Sequence, residues 1–193
     1  ERVDVILIAG DLFDSNSPSP SLVKYVVDHF RKIPKIHICI LPGTHDCYSK
    51  DSVYRRNEFN GLDNVFIFQK DAPEVKYYEE FDLAIHGRAN ITNQGGCSSL
   101  EGLKSYAEAR FNIAMAHAAI KIEGKHHKMA YTVSFEEIEE SGMDYIAMGD
   151  WHKCQDYSRG KTKVWYAGSP ETLQFEDGEE SGFVLLLDLS DKG

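Results

Sequence analysis

Four apolar runs in this sequence stop at residues that can hold a cation. Val5-Ile6-Leu7-Ile8 leads into Gly10 and Asp11, with Asp14 one turn later. "KIHICILPG" leads into Thr44, His45 and Asp46, "FNIAMAHAA" runs through His117, and "DYIAMGDWH" ends on Gly149, Asp150 and His152. Mixed carboxylate and imidazole donors suit Mn²⁺, Fe²⁺ or Zn²⁺ better than Ca²⁺. Each residue also has a plain structural alternative. Asp11, Asp14 and Asp150 could cap a helix or close a turn, and His45 and His152 could be ordinary loop histidines. His86, in "AIHGR", also ends an apolar run and competes with His117; a satisfied structural histidine is the simpler reading of it. Cys47 and Cys154 each lie two residues after a candidate histidine and could add a thiolate. Trp151 could stack on a base or simply pack at the rim.

Residues scattered this widely can act together only if the elements before them end side by side. Residues 3–9 read as a buried strand stopped by glycine. "SPSPSLVKYVVDHFRKIP" starts a helix at its serines and Pro20. Leu22, Val23, Val26, Val27 and Phe30 form its apolar stripe, and Pro34 ends it. Residues 35–41 are a second buried strand. Strand, helix, strand at this spacing predicts a parallel, right-handed βαβ unit. A short helix is expected over 52–59, strands over 65–69, 75–80 and 81–87, a loop from Asn90 to Ser99, and a helix over 100–110. "KIEGKHHKMA" reads as a polar loop, with His126 and His127 as candidate phosphate contacts or plain surface residues. Ser134 and Glu137 form a capping box for a helix over 135–141. "KVWYAG" and "GFVLLLDL" are expected as closing strands. In open α/β sheets, ligands bind outside the carboxyl ends of the strands, where all the candidate residues would meet.

The chain has 193 residues and is 42% hydrophobic, which fits one domain spanning 1–193. No apolar run is long enough to span a membrane, and no signal peptide is visible. The abrupt opening on an apolar strand suggests that a first strand precedes Glu1. The formal net charge of −10 argues against a broad basic nucleic-acid footprint. A local site could still use metal ions for positive charge. The four cysteines form no CxxC pair, which fits reduced thiols and a cytoplasmic location.

The ordered set of motifs resembles the calcineurin-like metallophosphoesterases, whose pattern is DxH, GDxxD, GNH with an acid, a lone His, then GHxH. Here GDLFD spans Gly10 to Asp14, GTHD spans Gly43 to Asp46, His117 is the lone His, and GDWH spans Gly149 to His152. "ILIAGDLFDS", "YIAMGDWH" and "WYAGSPE" look like the DNA-repair branch typified by SbcD. The resemblance implies a two-sheet α/β/β/α sandwich and two divalent ions, Mn²⁺ first among Mg²⁺, Fe²⁺ and Zn²⁺. Asp11 would bridge the ions, which lie about 3.5–4 Å apart in such sites. His152 would bind the first ion and His117 and Asp150 the second, while Thr44, in the place of the motif's asparagine, would be a weaker ligand or none. His45 would face the phosphate, oriented by Asp14, with Asp46 in support. The implied activity is phosphodiester hydrolysis by a DNA exo- or endonuclease in a repair complex. The implied partners are DNA and an SMC-like ATPase of the SbcC type; a homodimer is compatible.

Three departures bear on this reading. No DxH precedes GDLFD in the chain, Thr44 replaces an asparagine, and Asp150 replaces a histidine. The last exchanges a neutral nitrogen for an anionic oxygen and favours harder ions such as Mn²⁺ or Mg²⁺. The chain as given is therefore expected to be a poor two-metal enzyme. Two rivals stay open: a small nucleotide phosphodiesterase, and a non-catalytic scaffold whose metal site has eroded.

Overall fold

Val5–Ala9 (β1) is apolar throughout, and Pro20–Arg31 (α1) returns the chain beside it to His37–Leu41 (β2). The two strands pair in parallel with Ala9 level with Leu41, so both strand ends open on the same side. The computed structural model describes residues 3–122, 130–171 and 182–190. Helix α1 starts as its sequence directs. Ser19 Oγ accepts the Leu22 amide at 3.2 Å, and Pro20 occupies the first turn. Val23 and Val27 are buried, whereas Leu22 is 47% exposed, so the apolar stripe is narrower than the spacing predicts. β1 is half-buried along its whole length because it is the edge strand of its sheet.

The remaining strands are β3 (Val65–Ile67), β4 (Glu74–Tyr78), β5 (Leu83–Gly87), β6 (Phe111–His117), β7 (Ala119–Ile120), β8 (Thr132–Val133), β9 (Tyr145–Gly149), β10 (Gln155–Asp156) and β11 (Lys163–Tyr166). A second helix, α2 (Phe135–Glu140), carries the expected capping box. β1, β2 and β3 form a parallel three-stranded sheet. The larger sheet has the order β10-β11-β9-β6-β5-β4, parallel at its centre and antiparallel at both edges. β7 and β8 form a small parallel pair.

Strand β6 locates the layers. Its Ile113 and Met115 point into a core shared with Ile38, Ile40 and the α1 valines, while Ala114 and Ala116 point into another that includes Ile146 and Ile138 of α2. Alternation with period two thus covers both faces of the large sheet. The order of layers is α1, small sheet, large sheet, α2. This is the mixed α/β sandwich that the motifs imply.

Local expectations fail where side chains from elsewhere take the backbone donors. Residues 100–110 are not helical. Gly102 has φ +76°, Asn112 Oδ1 accepts the Tyr106 amide at 2.6 Å, and Asp82 Oδ1 accepts the Arg110 amide at 3.1 Å. Residues 52–59 make two separate 3₁₀ turns, because Arg56 between them is extended (ψ 149°). The run from Gly182 to Leu189 pairs with no strand among the described residues. Strand propensity supplies no ladder partner, and Val184 is 80% exposed. His126 and His127 lie outside the described residues.

Candidate metal centre

The two sheets meet where their functional strands end. β6 and β9 are in register with His117 opposite Gly149, just as β1 and β2 end together. A Cβ on Gly149 would lie 1.7 Å from the Ala9 carbonyl oxygen, and one on Gly10 would lie 2.1 Å from His117 Nδ1. These two glycines let the end of β1 touch the ends of β6 and β9.

His117 is the hub. Its side chain is 1% exposed, and Nδ1 donates to the Ala9 carbonyl at 2.9 Å. A carbonyl only accepts, so Nδ1 carries the hydrogen and Nε2 is the nitrogen turned to the neighbouring oxygens. Three oxygens surround Nε2: Asp11 Oδ2 at 3.2 Å, Thr44 Oγ1 at 3.5 Å and Asp150 Oδ1 at 3.8 Å. They come from three different strand ends. Burial alone would push the His117 imidazole down, but the Asp11 carboxylate, helped by the Ala9 carbonyl and Asp150, holds it above its usual range. Burial likewise would raise the Asp11 carboxyl, but His117 and the His45 amide hold it below its usual range. When it is protonated, His117 places positive charge between two carboxylates, where an ion would place its own.

Asp11 is held firmly. Its Oδ1 accepts the His45 amide at 2.9 Å. Asp11 (φ +52°) and Asp150 (φ +102°) are two of the three non-glycine residues with positive φ among the described residues. Asp in the left-handed region is tolerated, but +102° lies outside it. Backbone strain of this kind persists where the surroundings impose it, often at functional sites.

The other candidates lie around this hub. His45 Nδ1 donates to the Asp14 carbonyl at 3.1 Å and stands 3.6 Å from the Asp14 carboxylate. Both side chains are open to solvent, at the mouth of a cleft of about 590 Å³ that Thr44, Asn16 and Thr92 also line. His152 lines a smaller cleft with Asp150 and Lys153. Asp46 is fully buried among backbone amides. His86 lies in mid-sheet and bonds Asn112 Oδ1 at 2.9 Å, away from the hub. Cys47 is buried against Asn16, and burial pushes its thiol up. Trp151 stacks on Tyr166 at 5.1 Å, so one indole face is already used. Among the described residues, no group of three His, Cys, Asp or Glu side chains is closed tightly enough to hold an ion as it stands. The donor chemistry nevertheless fits a hard divalent ion: carboxylates, a hydroxyl and an imidazole with its tautomer fixed.

Sequence reasoning missed Asn90 and Tyr54. Asn90 is buried, and its side-chain amide donates to the His117 carbonyl at 3.1 Å. Its position just after an apolar strand was the available signal. Tyr54 carried none.

The chain resembles known proteins along most of its length. It is 27% identical over 200 residues to the uncharacterized metallophosphoesterase YhaO of Bacillus subtilis, covering 96% of this chain and 46% of that protein. It is 27% identical over 187 residues to the DNA double-strand break repair protein Mre11 of Sulfolobus acidocaldarius, covering 93% and 47%. The Archaeoglobus fulgidus Mre11 is 26% identical, covering 96% and 48%. The chain thus spans about half the length of the curated relatives it matches. A solved structure superimposes with a TM-score of 0.52 at 12% identity, covering 91% of this chain and 81% of that one, a likeness of fold alone. The sequence model described as Calcineurin-like phosphoesterase matches residues 1–154, where every candidate site residue lies. With strand ends meeting at one donor cluster and a family match over most of its residues, the chain belongs to the calcineurin-like phosphoesterases.

Proposed function

We propose that this chain carries the catalytic centre of a metal-dependent phosphodiesterase that acts on DNA. The observation that carries the reading is the gathering of Asp11, Thr44 and Asp150 around His117 Nε2. The family generally depends on two metal ions, and the Mre11 relatives favour DNA over small esters. In this reading Asp11 would be shared by the two ions, His152 would hold one, His117 and Asp150 would hold the other, and Thr44 would be a weaker ligand, with Mn²⁺ the preferred ion. When bound, the ions supply electrophilic charge and a nucleophile at neutral pH. The rest falls to the side chains. His117 keeps its Nδ1 proton on Ala9 and so presents Nε2 to the ion. Asp14 orients His45 at the cleft mouth, where its imidazole stabilises phosphate charge and hands a proton to the departing oxygen. DNA and an SMC-like ATPase are the proposed partners. The four free thiols fit a reducing compartment such as the cytoplasm.

The test is hydrolysis of single-stranded DNA beside bis(p-nitrophenyl) phosphate, with and without Mn²⁺. DNA cleavage that needs Mn²⁺ and is lost in Asp11→Asn is the expected result. Cleavage of the small ester alone would favour a nucleotide phosphodiesterase. The unclosed arrangement of donors favours a second reading, a scaffold with an eroded site, which requires that neither substrate react.

A further inference from the structure

Asp46 is 0% exposed, and its carboxylate is saturated. Oδ1 accepts the Gly43 amide at 2.7 Å and the Asp11 amide at 3.3 Å. Oδ2 accepts the Phe13 amide at 3.1 Å and the Tyr54 hydroxyl at 2.5 Å. Two oxygens offer about four acceptor sites, so no lone pair is left for an ion. The three amides belong to the two loops that carry the candidate ligands: Asp11 and Phe13 to one, Gly43 to the other. Tyr54 is 5% exposed, in the 3₁₀ turn Val53–Arg55, and packs edge-on against Phe13 at 6.0 Å and Phe59 at 5.5 Å. Its ring is thus held from one side while its hydroxyl fixes the carboxylate from the other. Burial and the Asp46 charge keep that hydroxyl protonated, and so a donor.

We infer that Asp46 and Tyr54 form a positioning clamp that ties the Asp11 loop to the Thr44–His45 loop and so sets the geometry of the metal centre. The inference rests on the metal-binding reading above. It assigns work to Tyr54, a residue outside every motif. Asp11 sits at φ +52°, in the left-handed region that aspartate tolerates, so its place is set by its contacts. Its own amide is bonded to Asp46 while its carboxylate reaches His45 and His117. Residues that orient metal ligands from behind typically cost about 10-fold in affinity when removed.

The experiment uses the 193-residue chain and MnCl₂. Tyr54→Phe removes one oxygen and keeps the ring. It should weaken Mn²⁺ binding by calorimetry about 10-fold and speed hydrogen exchange at the Asp11, Phe13 and Gly43 amides. Ile138→Val loosens the other core, which shares no residue with Asp46, Tyr54 or Phe13. It should lower the melting temperature but leave Mn²⁺ affinity and those amides unchanged. The clamp is overturned if Tyr54→Phe exchanges like the parent at those amides, or if Ile138→Val reproduces its effects. If the parent takes up no Mn²⁺, the metal reading fails, and the exchange data alone decide the clamp.

Discussion

His117 donates its Nδ1 proton to Ala9 at 2.9 Å and turns Nε2 to Asp11 at 3.2 Å, so one ring links the backbone of the small sheet to its functional carboxylate. That link has a pH signature. The His117 pKa is raised above 6.5 in the fold, so its ion pair stabilises the metal-free chain fully below 6.5 and is lost as pH rises through the folded value. The Asp11 pKa is lowered below 3.8, so its share is present above 3.8 and is lost as pH falls through the folded value. The melting-temperature gap between the parent and His117→Asn should be widest between these limits and narrow on the alkaline side. Mn²⁺ competes with the proton on Nε2, so its affinity should rise with pH and then level off. Calorimetry across a pH series checks both the direction and the plateau.

The backbone at Asp150 makes a separate claim. At φ +102° a Cβ is strained, and only glycine adopts the region freely. Asp150→Ala and Asp150→Gly both remove the carboxylate, but only the second removes the Cβ. The glycine variant should therefore be more stable than the alanine variant by about 1–2 kcal/mol in urea unfolding. Both should bind Mn²⁺ more weakly than the parent. Equal stability of the two variants would mean that the conformation carries no strain.

Contact between the sheets depends on Gly149 more sharply. A Cβ there would meet the Ala9 backbone oxygen at 1.7 Å, and backbone cannot step aside as a side chain can. Gly149→Ala should cost about 3 kcal/mol or more, or prevent folding outright. Gly96→Ala is the control, since nothing lies within 4 Å of its added methyl and its φ is not positive. Its unfolding curve should match that of the parent.

The strand ends were legible in the sequence because burial and chemistry write opposite patterns. Ile38–Leu41 and Ile113–Ala116 must be apolar to fill the cores, so His45 and His117 stand out where those runs stop. The capping box at Ser134 and Glu137 was legible because both partners lie within one turn. What escaped depends on residues far apart in the chain. The 100–110 stretch has helix-forming side chains, yet Asn112 and Asp82 take its amides, and Asp82 lies 28 residues from Arg110. Asp46 was visible only as a motif acid. Its four bonds reach back 35 residues to Asp11 and forward eight to Tyr54, which no local pattern encodes. The Gly10 and Gly149 contacts were hidden for the same reason, since a sequence does not state how closely two sheets approach.

Asp14 and His45 should separate function from stability. Their side chains are 104% and 56% exposed and 3.6 Å apart, and an ion pair this open contributes little to folding. Asp14→Ala and His45→Ala should therefore unfold within about 0.5 kcal/mol of the parent. If His45 hands a proton to the departing oxygen, its removal matters most when that oxygen is a poor leaving group. The loss should be about 10²–10⁴-fold on a DNA phosphodiester and much smaller on a p-nitrophenyl ester, whose phenolate departs without help. Asp14→Ala should lose less than His45→Ala on DNA, because the Asp14 carbonyl still receives the His45 Nδ1 proton in the variant. Equal losses on the two substrates would assign His45 to phosphate binding rather than proton transfer. The comparison needs only initial rates on both substrates with each variant.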